Sequence, residues 1–189
     1  MKYILGVFGV IVLLLLIVIL IVRSGPSKPV GDVQTGKPQV NLAEYESKPA
    51  TAILITRGEI TAEEDRRAIR ISVSRQERVI EILDGYDESV LSRQTFVNNE
   101  DAYKIFLSAL TTAGFTREQE STIKDERGVC PFGRRYVFKL QDGSDQVFRA
   151  WDTSCRRLKG NFGGNTSVVR DLFERQIPDY QTVVRGVRL

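Results

Sequence analysis

The chain has 189 residues, 27% of them charged and 42% hydrophobic, a balance that suits one folded domain rather than a disordered or fibrous chain. Its formal charge of +3, with no clustered basic stretch, argues against a nucleic-acid partner. Histidine is absent, which excludes Ser-His-Asp and Cys-His nucleophile pairs and every His-containing zinc site, and two cysteines are too few for an all-cysteine zinc site. We therefore expect no metal and no cofactor, and any enzymatic role would have to rest on carboxylates.

After Met1 and Lys2, residues 3–22 read YILGVFGVIVLLLLIVILIV, twenty positions without a charge. As a helix this run spans about 30 Å, the thickness of a bilayer's hydrocarbon core. It is longer than the apolar stretch of a signal peptide, and the Arg23-Ser24-Gly25-Pro26 that follows offers no small-residue cleavage site. The spacing predicts an uncleaved transmembrane anchor. The positive charges beyond it (Arg23, Lys28, Lys37) against Lys2 before it lean toward a cytoplasmic domain. The length of the C-terminal region and the cysteine pairing below lean the other way, because long domains translocate largely regardless of charge. We expect residues 1–2 inside and the domain outside. Residues 23–49 hold Pro26, Pro29, Pro38 and Pro49 among scattered Gly, Ser and Lys, which predicts a linker.

From residue 50 onward the pattern is that of an α+β domain. Thr51–Arg57 is apolar and β-branched, Ala68–Ser74 alternates cleanly, and Arg78–Leu83 and Val90–Val97 also read as strands. Thr61-Ala62-Glu63-Glu64 fits a capping box for a single helical turn. A longer helix starts at Asn98 or Asn99 and ends at Gly114, with Ala102, Phe106, Ala109, Leu110 and Ala113 at helical spacing. Arg134–Leu140 and Gln146–Asp152 flank Asp142-Gly143, the signature of a two-residue hairpin turn. That turn places Phe138 opposite Val147 and Tyr136 opposite Arg149, and sets Cys130 and Cys155 at equal distances along the two arms, where a disulfide would close the open end. A second helix runs from Asn165 or Thr166 to Pro178. The expected fold is an antiparallel sheet of five or six strands with two helices on one face.

Sites are harder to place. Gly160-Asn-Phe-Gly163-Gly164 leads into the second helix from Asn165, with Arg156, Arg157 and Lys159 just before it. A glycine-rich loop at a helix N-terminus with nearby cations is a candidate contact for an anion or a partner, and equally an ordinary turn and cap. Arg149 and Trp151 on the hairpin form a candidate interface pair, although a tryptophan in a strand more often lies in the core. Ser121-x-x-Lys124 lacks its companion motifs, and Glu63-Glu64-Asp65-Arg66-Arg67 reads as a solvated surface run.

The stretches Gly128–Tyr136, Arg149–Cys155 and Leu172–Tyr180 resemble uncharacterised membrane-anchored proteins of candidate-phylum bacteria such as Saccharibacteria. The resemblance implies an anchor and carries no activity. The cysteine-bracketed hairpin is also loosely similar to one part of subtilisin-inhibitor-like domains, over that single hairpin. The function expected is therefore an extracytoplasmic, non-enzymatic module that binds a protein or envelope component. The alternatives are a small carboxylate-using hydrolase or transferase, or a protease-inhibitor-like domain.

Overall fold

The computed structural model describes residues 39–189. The anchor expected over residues 3–22, and the linker as far as residue 38, lie outside the described residues. No helix among the described residues is long and apolar enough to cross a membrane.

Six strands form one antiparallel sheet: β1 (Ala50–Arg57), β2 (Arg67–Val73), β3 (Glu77–Asp84), β4 (Ser89–Val97), β5 (Arg135–Asp142) and β6 (Asp145–Thr153), in the order β4-β3-β2-β1-β5-β6. The first four are a meander, each strand pairing with its predecessor. The chain then leaves the β4 edge through α1 (Glu100–Thr112) and returns on the far side of β1 to build the β5–β6 hairpin. Two short helices follow, α2 (Thr166–Glu174) and α3 (Tyr180–Val183), the second of which the periodicity does not announce. The α+β class is as expected.

Local chemistry accounts for the helix ends. Asn99 Oδ1 accepts from the Ala102 N–H at 2.9 Å, so of the two asparagines the second is the cap, and Glu100 and Asp101 place negative charge on the helix's positive end. Asn165 caps α2 in the same way through Val168 N–H. The Thr61 capping box does not form: its hydroxyl donates to Ala62 O, and only a 3-10 turn over Glu63–Asp65 results. The folded body also begins before Ala50, since a 3-10 turn at Leu42–Tyr45 inserts Leu42 into the core at 1% exposure.

The two sheet faces differ. On one, α1 and α2 cover Leu54, Ile69, Ile71, Ile80, Phe138 and Leu140. Phe106 meets Phe173 edge-on at 5.1 Å, which joins the two helices, and Phe138 stacks on Phe162 at 4.0 Å, which ties the loop before α2 to β5. On the other, a smaller apolar cluster (Ile53, Ile55, Ala68, Leu83, Val137, Trp151) is covered by Ile123 and Val129 from the segment between α1 and β5. That segment passes the β6 edge, where Glu118 bridges Phe162, Asn161 Oδ1 accepts from Trp151 N–H and Phe162 N–H donates to Trp151 O. The β6 edge is thereby capped, whereas β4 is exposed over nearly its whole length.

The hairpin register differs from the expected one. Phe138 faces Ala150 rather than Val147, and Tyr136 faces Asp152 rather than Arg149. Gly143 and Ser144 make the two-residue turn between Asp142 and Asp145, one step beyond the expected Asp142-Gly143, and an irregularity at Leu140/Gln141 adds one more residue to the β6 side. The odd shift decides which face each β6 residue takes. It sends Phe148 and Ala150 into the helix-side core and turns Arg149 and Trp151 to the opposite side, level with Lys139 and Val137. Cys130 and Cys155 are joined as expected, with Cα atoms 5.9 Å apart. Because the hairpin's last pair is Arg135 with Thr153, the bridge ties the incoming loop, rather than strand β5 itself, to the end of β6.

Candidate functional site

Beside the smaller cluster, that face opens into a cavity of about 710 Å³. Its walls come from four places: Arg57 at the end of β1 with Ile60 beyond it, Arg66 before β2, the β3–β4 turn (Tyr86, Asp87, Glu88), and the segment Asp125–Gly128. Arg135 and Arg149 enter from β5 and β6. The segment Asp125–Gly128 is held in place by the disulfide just after it and by Ile60 N–H donating to Pro131 O at 2.8 Å.

Glu126 organises one side. It is 3% exposed and accepts from Arg57 and, through both oxygens, from Arg149 Nη2 at 2.7 and 2.6 Å. Burial by itself would push its carboxyl up; the Arg149 hydrogen bonds and the charges of Arg149 and Arg57 bring it below the ordinary value. Arg57 is also bound by Glu88. Two of the cavity's cations are thus neutralised from within.

Two others are not. Arg66 is 6% exposed and Arg135 3%. Arg66 lies over the Tyr86 ring, 4.2 Å from its centroid, and donates from Nη1 to Gly85 O at 3.4 Å. Arg135 donates from Nη2 to Gly58 O. The Nε of each is buried without a hydrogen-bond partner, and among the described residues neither guanidinium pairs with a carboxylate. Burial, then the charges of Arg66 and Arg57, lower the pKa of Arg135 from its usual value. A buried cation that lacks a counter-ion is costly, which makes this pair the least self-satisfied group in the cavity.

The residues singled out in the sequence fall in three places. Arg149 lines the cavity, while Trp151 is 1% exposed beneath it and presents no surface. Lys159, Gly163, Gly164 and Asn165 line a separate, more open depression at the start of α2, together with Arg117, Asp152 and Arg170; Arg156 and Arg157 are exposed outside it. Two of the glycine loop's donors point at protein carbonyls: Gly163 N–H to Arg117 O at 2.9 Å and Asn165 N–H to Ala113 O at 3.0 Å. A Cβ on Gly164 would come within 2.3 Å of Gly114 O, and one on Gly160 within 1.9 Å of Trp151 O, so these glycines allow close packing. In the same depression Asp152 already engages Lys159 at 3.5 Å and accepts from the Thr166 hydroxyl at 2.5 Å, so the nearest lysine has a partner within the fold.

The Ser121 hydroxyl lies within hydrogen-bond reach of two backbone acceptors, Ile123 O at 3.1 Å and Lys159 O at 3.2 Å, and Lys124 is exposed. Glu63, Glu64 and Asp65 are exposed, yet the adjacent Arg66, read with them as surface, is buried. Arg57, Arg66, Tyr86, Glu126 and Arg135 were not legible as a group. They come from separated segments, and only Arg135 carries a signal, standing two positions from Val137 on the same face of β5.

No protein-family model matches the sequence, and a search of curated proteins finds no relative. The functional reading rests on this geometry.

Proposed function

We propose that the chain is a binding module without catalysis of its own, held on the outer surface of a membrane through residues 3–22, and that its ligand enters the arginine-lined cavity. The twenty uncharged residues and the disulfide support the address, since structural disulfides persist in oxidising compartments. The partner is a protein or a cell-envelope component, which is what a tethered domain can reach.

The observation that carries the reading is the cavity's construction. It is preformed and walled in part by a segment stapled through Cys130–Cys155, and of its carboxylates Glu126, Glu88 and Asp125 are held by Arg57, Arg149 and Arg127 while Asp87 lies exposed on the β3–β4 turn, so no pair of acids is enclosed for proton transfer. The inhibitor-like alternative gains no support from the exposed phenylalanine beside the disulfide. Phe132, 88% exposed, sits in a tight turn closed by Gly133 N–H to Cys130 O, not in the extended segment that a protease cleft accepts.

Hydrogen exchange on the full chain in detergent tests the proposal. Addition of solubilised envelope fractions is expected to slow exchange at Tyr86–Glu88 and Asp125–Gly128. If no fraction protects these two segments, or if the chain turns a fraction over, the reading fails.

A further inference from the structure

We infer that the cavity is an oxyanion site, in which the Arg66 and Arg135 guanidiniums together receive a carboxylate or phosphate group of the ligand. This rests on the binding-module reading and names the chemistry that would occupy it. The argument is one of missing charge. Arg57 and Arg149 already share Glu126, and Arg57 also holds Glu88. Arg66 and Arg135 face the same space, are more deeply buried than either, and have only backbone carbonyls and an aromatic ring as partners. Planar guanidiniums present forked N–H donors that match carboxylate and phosphate oxygens, and in each the buried Nε donor has no protein partner.

Three further features agree. The Tyr86 ring packs against the Arg66 guanidinium at 4.2 Å, so part of the ordering precedes binding. Tyr86 itself is 51% exposed and, with Ile60, gives the entrance an apolar contact for whatever bears the anion. Glu126 is held between Arg57 and Arg149, where its negative charge is neutralised and does not repel an incoming anion.

Carboxylates and phosphates share this chemistry, and the test separates them. The melting temperature of the full chain in detergent is followed with sodium phosphate, glycerol 3-phosphate, sodium acetate, and N-acetylalanine against its amide, each matched in ionic strength with sodium chloride to hold surface screening constant. At ten times the dissociation constant, a rise of about 3–6 °C is expected from at least one anion class. A rise with phosphates alone points to a phosphate-bearing envelope polymer or headgroup, and a rise with N-acetylalanine but not its amide points to a free C-terminal carboxylate. The R66Q/R135Q double variant is expected to lose the rise.

The Nε–Hε resonances of Arg66 and Arg135 in the unmodified protein supply a readout that does not depend on the variant folding. They are expected to shift on titration with the effective anion. No melting shift and no resonance shift with any probe, or an undiminished rise in the double variant, would overturn the inference. If those signals stay in place while an envelope fraction still protects Asp125–Gly128, the module stands and its ligand is not an oxyanion.

Discussion

Inside the cavity wall, Glu126 binds two arginines through one carboxylate, and its removal tests how far the charges support each other. E126Q keeps the shape but leaves Arg149 without a counter-ion and Arg57 with Glu88 alone, and we expect a loss of about 2 kcal/mol at neutral pH, discounted from a fully buried pair because both arginines are partly exposed. Because the folded carboxyl titrates below its ordinary value, the unfolded chain binds the proton first. Its stabilisation is therefore present above about pH 4.3 and is lost as pH falls through the folded value. Thermal melts from pH 7 to 3 should show a shallower acid limb in E126Q than in the parent; identical limbs would mean that the ion pairs carry no net stability. Gly160 makes a second residue-scale test, since its missing side chain leaves room for Trp151 O. Gly160→Ala is expected to cost about 2–3 kcal/mol by urea denaturation, whereas Gly143→Ala, where an added Cβ meets no atom within 4 Å, should cost only the roughly 1 kcal/mol of a left-handed backbone.

Among the elements, the helices and the meander were the most legible. Asn99 and Asn165 stand at the helix starts that their side chains predict, Gly114 at the end that its left-handed backbone allows, and the alternation of Ile69, Ile71 and Val73 is the burial alternation of β2. The hairpin was legible as a hairpin but not in its register, because an irregularity of one residue follows from fitting Phe148 into the helix-side core and leaves no mark on composition. The disulfide survives the change of register because it joins a loop to a strand end, and a loop absorbs the shift. Replacing both cysteines by alanine should lower stability by up to about 3.5 kcal/mol, the entropic estimate for a loop of this length, read as a fall in the urea midpoint. Because Asp125–Gly128 lies next to the bridge, hydrogen exchange in that segment should also quicken in the double-alanine variant. Unchanged exchange there would separate the staple from the cavity.

Over the whole molecule the sheet keeps two unlike faces: one buried under helices, the other carrying a small apolar cluster and the charged cavity. The proposed orientation has a direct test at this scale. In intact cells, a membrane-impermeant thiol reagent should label Cys130 and Cys155 only after prior reduction. Labelling without reduction would mean that the bridge is absent in the cell, and no labelling even after reduction would place the domain on the inner side.

The division between sequence and tertiary structure follows the range of the physics. Periodicity, caps and turn residues act over a few positions, so residues 50–189 by themselves determined the strands, two of the helices and the pairing of the cysteines. Burial of a charge is a long-range property, decided only when distant segments close over it. Arg66, in a run of surface charges, and Arg135, at the start of a strand, became buried partners only because β5 returns beside β1 and the stapled segment closes over their face of the sheet.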